Sequence, residues 1–325
     1  MFENIQKRHE LKLINMKDVE VEQVQWLLYP FIPYGKITIV QGDPGEGKTT
    51  LMLQIIANLT RGKAILDCDD SSTYEPQFVI YQTAEDGLGD TIKPRLIDAG
   101  AECSYVNVID ESEESLSMID ERLEAAIMKT KARLVVLDPI QGYLGANVDM
   151  HKANEIRPVM KSLSLVAQRY NCAIVLIGHM NKNSSGKSSY RGLGSIDISA
   201  SARSVLLVGR VKDKPEMRVI CHVKSSLAPE GKSLCFELNK DTGFAWHGEC
   251  DVSADDLLNN TVKNLKISDA TTFLQEILAH GPLAKVDIDA LAAKQGIKDK
   301  TLRNAKQKLK AIAVKTGEQW YWRLP

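Results

Sequence analysis

The sequence predicts an α/β protein, in which helices cover both faces of a mostly parallel β-sheet and a smaller domain follows. Up to residue 178, short continuous apolar stretches alternate with helical patterns, which is typical of parallel strands buried on both faces. After residue 200, three apolar stretches follow one another across short turns, which predicts an antiparallel extension of the sheet edge. Residues 266–325 then change to three short helical patterns and a hairpin.

The elements of the main domain follow in order along the chain. The first strand is predicted in the buried stretch at 36–42. The helix after it carries an apolar stripe, formed by Leu51, Met52, Ile55, Ile56 and Leu59, at the spacing of one buried helix face. Further strands are predicted at 77–83, 104–110, 132–138 and 172–178, and a long amphipathic helix at about 153–169.

A glycine-rich loop follows the first strand and fits the pattern G-x-x-x-x-G-K-[ST]. Its glycines allow backbone N–H groups to converge on phosphate oxygens, and the next helix directs its amino end at the anion. We expect Lys48 to contact the β- and γ-phosphates of ATP, and the Thr49 hydroxyl to bind Mg²⁺. The predicted nucleotide-binding residues are Gly42, Asp43, Pro44, Gly45, Glu46, Gly47, Lys48, Thr49 and Thr50.

Polar side chains also follow other predicted strands. Asp138 ends the most apolar strand and is predicted to hold Mg²⁺ directly or through water. Glu85 is predicted to act as the general base for hydrolysis, whereas the adjacent Asp86 is predicted to cap the following helix. His179 lies at the end of another buried strand and is a candidate sensor of the γ-phosphate. A carboxylate directed at water favours hydrolysis over phosphate transfer to a small molecule.

Charge is distributed unevenly between the predicted domains. Residues 1–35 are a polar lead-in, residues 36–250 the main domain and residues 251–265 a polar linker. Residues 266–325 carry eleven basic and six acidic residues, whereas the whole chain has a net charge of −1. This asymmetry favours a nucleic-acid partner for the basic end. Six cysteines without a C-x-x-C pair, no signal-peptide pattern and no membrane-length apolar run predict a cytoplasmic protein without a membrane partner.

These motifs together resemble the RecA-like P-loop ATPases, in the branch that contains RepA-type hexameric helicases and RadA-type repair ATPases of phages and mobile elements. The matching stretches are "IPYGKITIVQGDPGEGKTT", "YQTAEDG", "RLVVLDPIQGYLG", "IVLIGHMNK" and "YRGLGSIDISASARSVLLVGR". The resemblance implies that the strand ending near Gly178 lies between the loop strand and the strand ending at Asp138. It also implies ATP bound between subunits of a ring, usually a hexamer, with Glu85 as the catalytic carboxylate and His179 as the coupling sensor.

The resemblance further implies an arginine that reaches the γ-phosphate from a neighbouring subunit. Arg191 and Arg203 are the candidates, and Arg210 is less favoured; the sequence does not choose among them. Lys182, Lys187 and Arg191 follow the sensor strand within a loop rich in serine and glycine. Such mobile cations grip phosphates without reading sequence, so the loop is predicted to contact DNA, single strands in particular.

The basic end is predicted to fold as a winged helix. Its third helix has an apolar face and several cations, and Lys300, Arg303 and Lys306 are the predicted DNA contacts. Trp320 and Trp322 alternate along a strand and are predicted to belong to the core. Winged helices also bind proteins, so a replication or repair protein is the alternative partner.

Two functional classes follow from these predictions. The first is an ATP-driven oligomeric DNA motor of a mobile element, such as a replicative or repair helicase. The second is an ATP-dependent recombination mediator or regulatory assembly protein that binds DNA without translocating.

Overall fold

A computed structural model of the chain describes most of the predicted main domain and basic end. The described residues are 11, 13–66, 74–145, 148–180, 196–259, 262, 270–279, 281–294, 297, 299–317 and 319–325. Within these residues, no helix is both long enough and apolar enough to cross a membrane.

Most strands of the main domain join one large sheet. In chain order the strands are β1 (Trp26–Leu28), β2 (Ile32–Pro33), β3 (Ile37–Gly42), β4 (Val79–Thr83), β5 (Val106–Asn107), β6 (Leu134–Asp138), β7 (Ala173–His179), β8 (Ser204–Val211), β9 (Lys214–Ser225), β10 (Ser233–Asn239) and β11 (Gly243–Cys250). Among the described residues, nine of them pair in the order β11-β10-β9-β8-β3-β7-β6-β4-β5, and β1 and β2 form a separate pair. Strand β7 lies between β3 and β6, which confirms the order expected from the resemblance.

The pairing changes direction along the sheet. The run from β8 through β3, β7, β6 and β4 to β5 is parallel, whereas β9, β10 and β11 are antiparallel to their neighbours. The predicted antiparallel extension is therefore confirmed. Strand β5 is shorter than the stretch predicted at 104–110, because Cys103–Tyr105 turn as a 3₁₀ helix before it.

Helices cover the two faces of the sheet. In chain order they are α1 (Lys48–Thr60), α2 (Lys93–Asp98), α3 (Glu121–Thr130), α4 (Ala153–Arg169), α5 (Ile196–Ser201) and α6 (Ala254–Leu258). Neighbouring strand residues point to opposite faces: Val40 packs with Leu51 of α1, whereas Ile39 packs with Leu163 of α4. Each fully buried aliphatic side chain contributes about 1.5–3 kcal/mol to folding, so these two cores hold the parallel strands in register.

Part of the segment predicted as a linker packs against the sheet. Ser253 and Asp256 form a capping box that starts α6, which satisfies backbone donors at the helix start. Val252 and Leu257 are buried beside Leu207 and Val219 of the extension. The first residues of the segment at 251–265 are thus attached to the main domain by apolar contacts.

The basic end folds around its own apolar core. Its elements are α7 (Ala270–Leu278), β12 (Leu283–Ala284), α8 (Lys285–Lys294), α9 (Asp299–Lys308), β13 (Ile312–Thr316) and β14 (Gln319–Arg323). The strands pair antiparallel in the order β12-β14-β13. Phe273, Leu274, Ile288, Leu302 and Trp322 are buried together. We call this part the C-terminal unit.

Candidate active site

The parallel topology brings the predicted site residues to one edge of the sheet. Parallel strands end at the same edge, and ligands of such sheets bind outside their carboxyl ends. Gly42 at the end of β3 pairs with His179 at the end of β7. Thr83 at the end of β4 pairs with Asp138 at the end of β6. Four strand ends therefore supply the loop, the sensor and both carboxylates.

The loop between β3 and α1 has a conformation that requires glycine. Gly45 and Gly47 have φ angles of 78° and 87°, a left-handed region that strains residues with a Cβ atom. At Gly42, an added Cβ would clash with the carbonyl oxygen of Val208 on β8. The loop is thus closely packed against the neighbouring strand while its backbone turns toward the amino end of α1.

Lys48 is held at the centre of this edge. Its Nζ donates to the carbonyl oxygens of Gly42 and Asp43 at 2.9 and 2.8 Å. The same atom lies 3.4 Å from Nδ1 of His179. Burial lowers the pKa of Lys48, and the charge of Asp138 acts in the opposite direction. A buried ammonium directed into a phosphate loop is suited to neutralising the oxygens of a bound anion.

Thr49 and Asp138 meet where a metal ion is expected. The Thr49 hydroxyl donates to Oδ2 of Asp138 at 2.7 Å. Burial raises the pKa of Asp138, and the hydrogen bonds from Thr49 and Tyr81 oppose this rise. A buried carboxylate beside a hydroxyl supplies two hard oxygen donors, so these residues fit Mg²⁺.

Tyr81 is a site residue that the sequence analysis missed. Its hydroxyl donates to Oδ2 of Asp138 at 2.9 Å, the same oxygen that accepts from Thr49. Two donors on one oxygen fix the rotation of the carboxylate and leave Oδ1 for a cation. The signal available in the sequence was a tyrosine two residues before a strand end, which is common in buried strands.

Glu85 and His179 approach each other across the edge. Oε1 of Glu85 lies 3.9 Å from Nε2 of His179, and the Glu85 side chain is 64% exposed. His179 therefore stands between the ammonium of Lys48 and the carboxylate of Glu85. This arrangement places an accessible carboxylate where a water molecule can approach a phosphate bound by the loop.

Asp86 does not cap the following helical segment, and the prediction for it is wrong. Its carboxylate forms an ion pair with Arg95 at 3.1 Å. The following segment, Leu88–Ile92, begins after Gly87 without a side-chain cap. The physical reason is that Arg95 of α2 offers the carboxylate a charged partner.

Two arginines hold the loop from the antiparallel side. Nε of Arg210 lies 3.7 Å from Glu46 and Nε of Arg218 lies 3.9 Å from it. Nη2 of Arg210 also donates to the carbonyl of Gly45 at 3.4 Å. Burial lowers the pKa of Arg218. Arg210 thus contacts the loop of its own chain, which its position in the sequence did not indicate.

Arg203 is not part of this edge. Arg203 precedes β8 and donates its backbone N–H to Ile37 at the start of β3, which is the opposite edge of the sheet. Lys182, Lys187 and Arg191 lie outside the described residues.

The C-terminal unit holds the remaining predicted contacts. Lys300 lies on α9. Arg303 forms an exposed ion pair with Asp299 at 2.7 Å, and the Lys306 ammonium lies 4.9 Å from the centroid of the Trp322 ring. Trp322 is buried as predicted, but Trp320 is exposed, so the prediction of a core role for Trp320 is wrong.

Comparison with known proteins adds a family match. The family described as an AAA domain matches residues 5–185. The DNA repair protein RadA of Halalkalibacterium halodurans is 27% identical over 51% of this chain and 32% of its own length. The protein RecA of Sinorhizobium medicae is 23% identical over 67% of this chain and 60% of its own length. The chain thus spans about a third to three fifths of these relatives.

Among solved structures, a KaiC-like protein of Pyrococcus horikoshii superposes with a TM-score of 0.48 and 17% identity. The match covers 66% of this chain and 90% of that one.

Proposed function

Because the chain belongs to the AAA domain family, we propose that it hydrolyses ATP and works as an oligomeric motor on DNA. The proposed class is a replicative or repair helicase of a phage, plasmid or other mobile element, active in the cytoplasm. One observation carries the proposal: Lys48, the Thr49–Asp138 pair, His179 and Glu85 converge at one edge of the sheet. A simple nucleotide-binding protein needs only the loop, whereas hydrolysis needs an accessible carboxylate beside it.

The residues of this edge divide the chemistry among them. Lys48 binds the β- and γ-phosphates of ATP, and Thr49 and Asp138 hold the metal. Mg²⁺ bound there supplies positive charge to the phosphates during hydrolysis. Glu85 orients the attacking water and accepts its proton. His179 contacts both Lys48 and Glu85, so it can transmit a change at the phosphates to the chain segment that follows β7.

DNA binding is proposed for the segment after His179 and for the C-terminal unit. In the segment, Lys182, Lys187 and Arg191 would bind the phosphates of a single strand within a hexameric ring. Either Arg191 or Arg203 would reach the ATP of a neighbouring copy. The three helices and the strand order β12-β14-β13 support a winged helix, with Lys300, Arg303 and Lys306 of α9 facing DNA or a replication or repair protein.

An assay of ATP hydrolysis with and without single-stranded DNA tests the proposal, run beside a measurement of native mass. We expect DNA to stimulate hydrolysis by an assembly larger than one chain, and the Lys48→Ala variant to report background hydrolysis. If hydrolysis stays unchanged at every DNA concentration, the proposed motor function is wrong. If the native mass in the presence of ATP is that of one chain, the proposed ring is wrong.

A second candidate function is favoured by the relative named as a DNA repair protein. In this function the chain is an ATP-dependent recombination mediator or regulatory assembly protein that binds DNA without translocating. Unwinding of a forked duplex distinguishes the two. A motor separates the strands of the fork in an ATP-dependent reaction, whereas a mediator hydrolyses ATP on single strands and leaves the fork paired.

A further inference from the structure

The C-terminal unit exposes a tryptophan that its strand pattern would bury. Trp320 and Trp322 lie on the same face of β14, yet they are 51% and 5% exposed. The reason lies in the pairing of β14. At Trp322 the strand has partners on both sides, Leu283 and Ala313, whereas at Trp320 the partner among the described residues is Lys315 alone. The indole of Trp320 thus lies beyond the end of β12 and beyond the helical core.

A cavity of about 490 Å³ opens beside this indole. Trp320 and Trp322 line it together with Ala284, Val286 and Ala313, and the Val286 side chain is 69% exposed. Its walls are therefore mostly apolar, and one cation, Lys285, also lines it. A flat apolar group that enters this cavity would contact the face of the Trp320 ring.

Cations continue from this cavity onto α9. Trp322 also lines a second cavity of about 560 Å³, whose other lining residues include Arg303, Lys306 and Lys310. The ammonium groups of Lys285 and Lys306 lie 5.1 and 4.9 Å from the centroid of the Trp322 ring. The buried Trp322 ring therefore lines both cavities. One is mostly apolar and contains the exposed Trp320 ring, and the other is lined by three basic side chains.

Acidic neighbours leave this cationic character in place. Lys285 pairs with Asp289 and, at 3.4 Å, with Asp299, and Asp299 also pairs with Arg303. Lys306 and Lys310 form no ion pair with another described residue. The side of the surface formed by α9 is thus suited to an anion, and the side formed by Trp320 to a flat ring.

An unpaired nucleotide combines both properties. Its base has an apolar face that stacks on an aromatic side chain, and its phosphate is attracted by nearby cations. In a duplex the faces of interior bases are already covered by their neighbours, so they cannot contact a side chain in this way. An apolar segment of a protein would fill the cavity beside Trp320 but would offer no anion to the cations of α9.

We propose that Trp320 is a stacking platform for an unpaired nucleobase, and that Arg303, Lys306 and Lys310 bind the adjoining phosphates. This rests on the proposed DNA binding and deepens it, because it assigns the C-terminal unit to single strands, including the unpaired strands of a fork. Duplex binding through the phosphates of a groove does not need the indole.

The test uses the full chain and compares Trp320→Ala with Trp320→Phe. Binding of a single strand of about 16 nucleotides and of a duplex of equal length is measured by fluorescence anisotropy. Base stacking on an aromatic ring is strong enough for about a tenfold loss of single-strand affinity in Trp320→Ala. Duplex affinity is expected to stay within about twofold, and Trp320→Phe to keep most of the single-strand affinity because it keeps an aromatic ring.

Matched controls separate stacking from charge and from folding. Tyr29→Ala removes a ring that is 62% exposed in the main domain and should leave both affinities unchanged. Lys306→Gln should weaken binding of the single strand and the duplex alike. Single strands should quench tryptophan fluorescence of the unaltered chain, and Trp320→Phe should lose that part of the quenching.

The outcomes distinguish this inference from the proposed function. If the unaltered chain binds strands and DNA stimulates its hydrolysis, but Trp320→Ala keeps full single-strand affinity, the stacking platform is wrong and Trp320 belongs to a protein contact. If Trp320→Ala loses affinity equally for the single strand and the duplex, the stacking platform is wrong as well. If the unaltered chain binds neither substrate and DNA does not stimulate hydrolysis, the proposed function fails first.

Discussion

The edge of the large sheet and the cationic surface of the C-terminal unit hold their charges in opposite ways. At the edge, one oxygen of buried Asp138 accepts from two hydroxyls, and Lys48 donates to two backbone carbonyls. On the C-terminal surface, Arg303 has one exposed ion pair with Asp299. Buried charges need fixed partners to offset lost hydration, whereas exposed cations reorient at little cost. This difference supports the proposed roles, a single reaction geometry at the edge and variable strands at the C-terminal surface.

Lys48→Ala should have the largest effect, because it removes a charge from the edge of the sheet and leaves the C-terminal surface unchanged. Without its ammonium, the loop lacks the buried cation that is proposed to contact the β- and γ-phosphates, so ATP binding and hydrolysis should fall to background. Binding of a fluorescent ATP analogue and phosphate release measure this. Lys129→Ala, a change of an exposed side chain in the last turn of α3, is the matched control and should keep full hydrolysis. Hydrolysis by Lys48→Ala at the unaltered rate would mean that the site lies elsewhere.

Glu85→Gln should separate binding from turnover. The amide keeps the size of the side chain but cannot accept the proton of water, so turnover should fall by about 10²–10⁴-fold while nucleotide affinity is kept. Single-turnover hydrolysis and equilibrium binding measure the two quantities. Asp86→Asn is the control. The Asp86 carboxylate pairs with Arg95, so its replacement should change turnover little. If the two variants are equally active, Glu85 is not the base.

The contrast between the two regions also explains what the sequence could predict. The loop, Asp138, Glu85 and His179 each follow a buried strand, and parallel strands end at one edge, so their convergence follows from the order of elements. The strand order β3-β7-β6 was expected from the resemblance and is confirmed. Local pattern and topology agree there because a buried site constrains both.

Contacts between distant segments could not be predicted in the same way. Tyr81 reads as an ordinary strand residue until β4 is placed beside β6. Arg210 and Arg218 reach Glu46 only because β8 and its antiparallel partner β9 bring these paired residues beside the loop. Trp320 alternates with a buried residue, but its exposure depends on where β12 ends.

Tyr81→Phe tests the proposed metal site. Loss of the hydroxyl removes one of two donors to Oδ2 of Asp138, so the carboxylate is less well oriented. Partners of metal-binding carboxylates contribute about 10–100-fold in metal affinity or activity, and the Mg²⁺ concentration for half-maximal hydrolysis should rise accordingly. Tyr34→Phe, which removes a hydrogen bond to Gln77 far from the site, is the control. An unchanged Mg²⁺ requirement would reduce Tyr81 to a packing residue.

The buried carboxylate should also appear in the pH dependence of stability. Burial raises the pKa of Asp138, so the folded protein binds this proton more tightly than the unfolded chain. This contribution to stability is full below the ordinary aspartate pKa of about 3.9 and is lost as the pH rises through the raised value. Thermal unfolding of Asp138→Asn without Mg²⁺ should lack this component, whereas Asp299→Asn should keep it. Identical pH profiles for Asp138→Asn and the unaltered chain would contradict the assignment.

The smallest effects are expected on the C-terminal surface, where removing the charge of either partner of one ion pair should change strand affinity in opposite directions. Arg303→Gln should weaken strand binding and reduce the slope of log affinity against log salt by about one. Asp299→Asn should strengthen binding, because it removes a competing anion from Arg303 and Lys285. Both should change the free energy of unfolding by less than about 1 kcal/mol, since the pair is exposed. If Asp299→Asn weakens binding instead, the ion pair orients the cation, and this surface is as preorganised as the edge of the sheet.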